Sequence, residues 1–451
     1  MILPVLCVLI SSIICLLMLT RSMVNGHILQ FLFWSFWGVY VVGQSLWMSC
    51  QFHSSIDIVI TPYAYVDWTG FESASKFLMV TTILLTILAP SPKMIMARSN
   101  PLFDNRNNEN KTDSMVCGVR LGGYAVVSAS LFVFLVSIFW YFLAIGDPWL
   151  IIKSSRPSFQ PGTTAPLMLS FGAAFAFSFF VVSARNQVNY RIKCAVSSVI
   201  LSCLIIFYFL CGTRVLAGSV ILFIVACFWY SKRKKIQTNS SFKYIVVGSL
   251  ALITLCVLFG FQGIKIWMSG EAEMISGTSK NPLDSIIYTI QTFYSSNCEG
   301  YSCLANYMTP NNQEVNDGFN EQMKLFIKSI LPAQIKDLVG FPTGGGNSPE
   351  GTQVQSILLI SYSMFGWFGC AIPGLFLRVF CLLEARFVTR GTLISFMLSS
   401  ILCSMSLNFI RGSFVFFILY STLSLFLVIL LSVLISLLYL KIHKYELTRT
   451  T

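Results

Sequence analysis

Two arginines stand at the joints between apolar runs. Arg214 closes Cys211-Gly212-Thr213-Arg214, between the runs 194–211 and 215–230, and Arg411 lies in Asn408-Phe409-Ile410-Arg411-Gly412, between 392–410 and 413–440. Neither has an acid within several residues. A guanidinium is always charged and presents a planar fork of donors that matches phosphate oxygens two at a time. A single arginine at the end of a span reads as an anchor that snorkels to the interface. Two such turns, equally short and equally free of acids, point instead to the binding of an anion, phosphate above all.

The other candidates lie in the stretch 264–351, the longest polar segment, which holds nine of the eighteen acids. Lys324, Lys328 and Lys336 are candidate phosphate or sugar contacts. Glu350, at the end of the stretch, is the first choice for a carboxylate base, with Asp284 and Asp337 behind it as bases or substrate contacts. A solvated loop acid is the competing reading for each. Cys298 and Cys303 either close a small disulfide loop, if the stretch lies outside the cytoplasm, or remain two free thiols. Most of the fourteen cysteines, such as Cys203, Cys211, Cys227 and Cys256, fall in apolar runs, where they act as small apolar residues. No cysteine and histidine pattern suggests a metal, and none is expected.

These residues must be positioned by membrane spans. The chain of 451 residues is 55% hydrophobic and only 11% charged, against about 25% charged in a soluble domain. Apolar runs of about 20 residues recur. Strand-sized alternation is absent, which argues against a barrel. The net charge of +12 reflects basic residues scattered through short loops, as the positive-inside rule demands, so no nucleic-acid partner is implied.

In chain order, the expected spans are 1–20, 28–50, 76–90, 121–145, 164–183, 194–211, 215–230, 244–261, 352–377, 392–410 and 413–440. The first lacks a basic front and a small-residue cleavage site, so it reads as uncleaved. Residues 51–75 carry Asp57, Asp67 and Glu72 but neither Lys nor Arg, and read as an outer loop. The run Lys232-Arg233-Lys234-Lys235 is either a topology anchor or a site for anionic lipid. Ser348-Pro349-Glu350 reads as the capped start of the ninth span. The domain plan is therefore 1–263 (eight spans), 264–351 (the large loop) and 352–451 (three spans and a cytoplasmic tail).

Charge counting supports this plan. Its inner loops hold twenty of the thirty Lys and Arg and five of the eighteen acids; its outer loops hold the remaining ten and thirteen. The N-terminus is then outside, the C-terminus inside and the large loop outside. Within that loop, Phe319, Met323, Phe326, Ile327, Ile330 and Leu331 recur at helical spacing up to Pro332. This is an amphipathic helix, lying in the interface or packed on the loop's own core. A weaker candidate of the same kind covers 283–294. Residues 340–346 form a glycine-rich turn that matches no phosphate-loop pattern.

The turn Gly212-Thr213-Arg214 resembles the Gly-Thr-Arg turn of the Wzy-type O-antigen polymerases, which include the enterobacterial common antigen polymerase. Residues 326–342, followed by Ser348-Pro349 leading into a span with Gly366 and Gly369, are similar to that family's large periplasmic loop and its return. Asn408-Phe409-Ile410-Arg411-Gly412 is similar to its late arginine turn. The resemblance covers roughly the second half of the chain, and the first half matches only as a row of spans.

The resemblance implies an all-α polytopic membrane protein with about eleven transmembrane helices and one large periplasmic loop, of the GT-C-like type. It implies a glycosyltransferase in the bacterial inner membrane, active at the periplasmic face, that joins oligosaccharide units carried on undecaprenyl diphosphate. The donor and acceptor are both lipid-linked glycans. Membrane lipid and a chain-length regulator protein are the implied partners, and no cofactor or metal is implied. Arg214 and Arg411 would hold the leaving diphosphate. Three alternatives stay open. An O-antigen ligase usually carries a histidine in its large loop, and here His27, His53 and His443 all lie elsewhere. A transporter or flippase usually has short loops and repeat halves. The third is a structural or sensory membrane protein.

Overall fold

Apolar helix dominates the computed structural model, which describes residues 2–53, 58–61, 64–90, 115–116, 119–120, 123–149, 151, 164–177, 190–238, 299–309, 356–390, 393–411 and 414–449. The elements are α1 (Ile2–Val24), α2 (Ile28–Phe36), a π-helical segment (Trp37–Val42), α3 (Gly43–His53), β1 (Ile58–Thr61), β2 (Ala64–Asp67), α4 (Trp68–Leu88), β3 (Met115–Val116), β4 (Val119–Arg120) and α5 (Gly123–Ile145). There follow α6 (Thr164–Leu169) with a 3₁₀ segment (Ser170–Ala174), α7 (Tyr190–Leu210), α8 (Arg214–Thr238), α9 (Glu299–Tyr307), α10 (Ile357–Phe365), a second 3₁₀ segment (Gly366–Ala371), α11 (Ile372–Arg390), α12 (Leu393–Arg411) and α13 (Phe414–Arg449). Among the described residues, five helical stretches are long and apolar enough to cross a membrane: Ile2–Val24, Trp68–Leu88, Tyr124–Ile145, Ile357–Val388 and Phe417–Lys441. Shorter apolar helices cover Ala165–Phe177, Ala195–Leu210, Val215–Tyr230 and Ile394–Ile410. The chain is thus a helical membrane protein, its strands confined to two short antiparallel hairpins among the described residues.

Several boundaries differ from expectation. The third span begins at Trp68 rather than Lys76, because Asp67 caps it: its carboxylate accepts the Gly70 N–H at 2.7 Å. Glu72 and Lys76 then lie one turn apart and pair at 2.6 Å. The ninth span starts at Ile357, where Ser356 Oγ accepts the Leu359 N–H at 3.2 Å, so Ser356 and not Ser348 is its cap. It runs on through α11 to Arg390, so Arg378 and Arg386 belong to helix and not to an inner loop. The expected eighth span, 244–261, and the expected helices at 283–294 and 319–331 lie outside the described residues, as does Cys298.

The chain divides into two units. One comprises residues 1–95, 290–382 and 405–416. Its core is aromatic: Phe33 stacks on Trp37 at 6.0 Å and meets Phe409 at 5.8 Å. Polar contacts stitch its helices. Trp37 Nε1 donates to Thr82 Oγ1 at 3.3 Å, Cys15 Sγ to Trp34 O at 3.3 Å and Gln30 Nε2 to Pro90 O at 2.9 Å. Between apolar helices in lipid there is little hydrophobic drive to associate, so such contacts and close packing carry the association.

The other unit comprises residues 96–289, 383–404 and 417–451. Phe171 is its centre, edge-on to Phe175, Phe223 and Phe417 at 5.9, 5.6 and 5.1 Å. Gly172 lets α13 approach: a Cβ there would lie 3.4 Å from Ser424 and Val428 and 3.0 Å from Val133. Ser424 Oγ donates to Leu169 O at 3.0 Å, and Tyr208 OH to Leu167 O at 3.0 Å.

Candidate functional site

The turn that carries Arg214 is defined atom by atom in its backbone. Helix α7 closes with Gly212 at φ 71°. Its N–H donates to Phe209 O at 3.0 Å, and the Thr213 N–H donates to Tyr208 O at 3.0 Å. This is the Schellman pair, and it requires the left-handed conformation that glycine adopts without strain. Thr213 Oγ1 also donates to Tyr208 O, at 3.1 Å. The Thr213 carbonyl then accepts the Ala217 N–H at 3.1 Å, so Thr213 is already the N-cap of α8. Each residue of Gly212-Thr213-Arg214 therefore has its own place in the backbone. Glycine stops a helix, threonine starts the next, and arginine takes the first position of that helix.

That position matters electrostatically. The N-terminal end of a helix carries partial positive charge, so a cation there is disfavoured. Arg411 is the last residue of α12, where the same dipole favours a cation. Only for Arg214 does helix formation oppose the choice of residue. Arg214 belongs to the second unit and Arg411 to the first. Their backbones are described and their side chains are not. Glu350, Lys324, Lys328, Lys336, Asp284 and Asp337 lie outside the described residues.

One piece of the polar stretch is described, and it is docked. In the first unit, Gln44 Oε1 accepts the N–H groups of Tyr301 and Ser302 at 3.0 and 3.2 Å, which caps α9 from another helix. Gln44 Nε2 donates to Ser302 Oγ at 3.1 Å, and Tyr301 OH lies 2.8 Å from Ser75 Oγ. At the other end, Thr309 Oγ1 donates to Asp67 at 3.2 Å. Burial pushes the Tyr301 phenol well above its ordinary range, partly offset by its bond to Ser75. Gly70 permits the contact, since a Cβ there would lie 2.4 Å from Ala305 O. Cys303, a candidate disulfide partner, is buried in this helix.

The structure also shows residues that the sequence did not single out. In the second unit the Tyr230 hydroxyl donates to Glu384 Oε1 and lies 3.2 Å from Cys403 Sγ. Cys227 Sγ, one turn before Tyr230, donates to Ser400 Oγ at 3.3 Å. All five residues are buried. One carboxyl thus ties α11 to α8, and Tyr230 ties α8 to α12. An ionisable residue inside a span is costly and marks a functional position by default. Counting Glu384 as a loop acid hid it. The signal was present in the helical spacing of Leu377, Cys381, Glu384 and Ala385, all of them buried. In the first unit, folding brings the Cys381 thiol within 4.8 Å of a ring nitrogen of His27, a proximity that no spacing in the sequence suggested.

No protein-family model, no curated protein and no solved structure matches this chain.

Proposed function

We propose that this chain is an O-antigen polymerase: a glycosyltransferase of the bacterial inner membrane that joins oligosaccharide repeat units carried on undecaprenyl diphosphate. The proposal includes about eleven spans, a GT-C-like arrangement and a periplasmic loop at 264–351. The observation that carries it is the turn Gly212-Thr213-Arg214, where an arginine stands at the helix end least suited to a cation. A group placed against the local electrostatics is well explained by an anion that it binds.

In this reading Arg214 and Arg411 hold the diphosphate of the donor. The acceptor hydroxyl attacks the anomeric carbon, the new glycosidic C–O bond forms, and the bond to the diphosphate breaks. The arginines stabilise the charge that appears on the leaving group. Glu350 is the proposed acceptor of the hydroxyl proton. Lys324, Lys328, Lys336, Asp284 and Asp337 contact the glycans and their phosphates. The expected partners are the lipid-linked donor and acceptor, membrane lipid and a chain-length regulator. No cofactor has a part in this scheme.

The test is genetic. Deleting the chain from its host should collapse the surface glycan from a ladder to single repeat units, and the wild-type chain should restore the ladder. A normal ladder in the deletion strain rejects the polymerase reading. Complete loss of surface glycan with single repeat units still made would favour a ligase.

A further inference from the structure

The apolar stretch Ile357–Val388 has 32 residues. As one straight helix it would be about 48 Å long, against a hydrocarbon core of about 30 Å. It is not straight: Gly366, at φ 55°, breaks it, and a 3₁₀ segment follows. The 19 residues of α11 span about 28 Å and carry Arg378, Glu384, Arg386 and Arg390, so the candidate span takes in the apolar segment before it.

Arg378 is the seventh residue of α11, about 9 Å along the helix from its start, and lies within the candidate span. It is exposed. Its neighbours at i−3, i+1 and i+4 are Leu375, Val379 and Leu382, which are 46%, 50% and 37% exposed. The other face of the helix, with Leu377, Phe380 and Cys381, is buried in the first unit. So a permanent cation sits in an outward apolar stripe, which ends two turns on at the exposed Arg386. Among the described residues no carboxylate pairs with Arg378. Lipid chains satisfy none of its five N–H donors. An arginine side chain is long and flexible enough to reach along the helix surface to a phosphate oxygen.

We propose that this stripe of α11 is a binding site for an anionic membrane lipid: Arg378 holds the phosphate, and Leu375, Val379 and Leu382 hold the chain. The geometry fits both halves of such a molecule, because a bidentate donor for phosphate lies within a stripe of exposed aliphatic side chains. The site is independent of the polymerase reading and stands if that reading fails.

The experiment is native mass spectrometry of the purified full chain, offered dioleoylphosphatidylglycerol or dioleoylphosphatidylcholine. The two lipids share chains, but the choline ammonium competes for the phosphate. The wild type should hold the glycerol lipid about tenfold more tightly, as expected for one charge-assisted contact. Arg378→Gln should reduce it to the level of the choline lipid, Arg378→Lys should keep part of the preference, and excess inorganic phosphate should not displace it. In parallel, phosphatidylglycerol with a photoreactive chain should label the peptide covering 375–382 in the wild type, a result that needs no variant to fold. Equal retention of the two lipids, unchanged retention in Arg378→Gln, displacement by inorganic phosphate, or labelling confined to other spans would each overturn the proposal. So would tight binding of undecaprenyl phosphate with no preference for phosphatidylglycerol.

Discussion

Arg214 and Arg411 carry the same charge at opposite ends of helices, so their removal should differ in stability and agree in function. Arg214→Ala relieves an unfavourable dipole contact and should leave thermal stability unchanged or raise it by about 0.3–1 kcal/mol, whereas Arg411→Ala should lower it by a similar amount. If both bind diphosphate, both variants should shorten the glycan ladder. A lost charge-assisted contact costs about 1.5–3 kcal/mol, roughly tenfold to a hundredfold in rate. Lysine keeps the charge but loses the fork, so Arg214→Lys and Arg411→Lys should each be impaired, though less than alanine. Normal ladders from both alanine variants, at normal expression, would make these residues interface anchors. Glu384 makes a different prediction. Glu384→Gln can still accept from Tyr230, while Glu384→Ala removes the acceptor from a buried hydroxyl, at about 1–3 kcal/mol. Tyr230→Phe should add little on top of Glu384→Ala, because the two share one contact. Additive losses in a thermal-melt cycle would mean that the pair is not coupled.

The apolar helices were largely legible, because hydropathy is a local property and α1, α5, α7 and α12 begin and end close to where composition places them, while α13 runs on to Arg449. Their interruptions were not. The π segment at Trp37–Val42 and the 3₁₀ segments at Ser170–Ala174 and Gly366–Ala371 lie in runs as apolar as their flanks. Capping was half legible. The sequence proposed a serine cap for the ninth span, and the serine that performs it is Ser356, eight residues later. Docking of α9 was not legible at all, since Gln44 and Ser302 are 258 residues apart. Gly70 is the sharpest test of that docking. A Cβ there meets Thr309 Oγ1 at 2.3 Å and Ala305 O at 2.4 Å. The hydroxyl can rotate away, but the carbonyl belongs to a helix backbone. Gly70→Ala should therefore push α9 off α4 and cost about 1–3 kcal/mol by overpacking. Limited proteolysis of the reconstituted protein should show faster cleavage between residues 299 and 309 in the variant. An unchanged digestion pattern would mean that the contact yields without loss.

At the scale of the whole molecule, order in the sequence and order in space part company. The chain folds into two units, each assembled from segments far apart in the sequence. Composition reports whether a segment enters a membrane. It does not report which spans meet, because every apolar face is an acceptable neighbour for another. What composition does carry is sidedness, and this is where the functional reading is most exposed. The assigned arginines, the loop lysines and Glu350 can act on a periplasmic diphosphate only if 264–351 is periplasmic. The charge asymmetry between loops predicts that it is. An engineered Asn312→Cys should react with a membrane-impermeant maleimide in intact cells whose outer membrane has been permeabilised. Native thiols buried in spans, such as Cys15, Cys227 and Cys381, should stay silent, and the unmodified chain serves as the blank. A second engineered cysteine at Gln237, after the basic run Lys232-Arg233-Lys234-Lys235, should react only after the inner membrane is opened. The reverse pattern, with 312 protected and 237 labelled, would put the loop in the cytoplasm. Arg214 and Arg411 would then face the wrong side for a periplasmic diphosphate, and the polymerase reading would fall, whereas the Arg378 lipid site would remain to be judged by its own experiment.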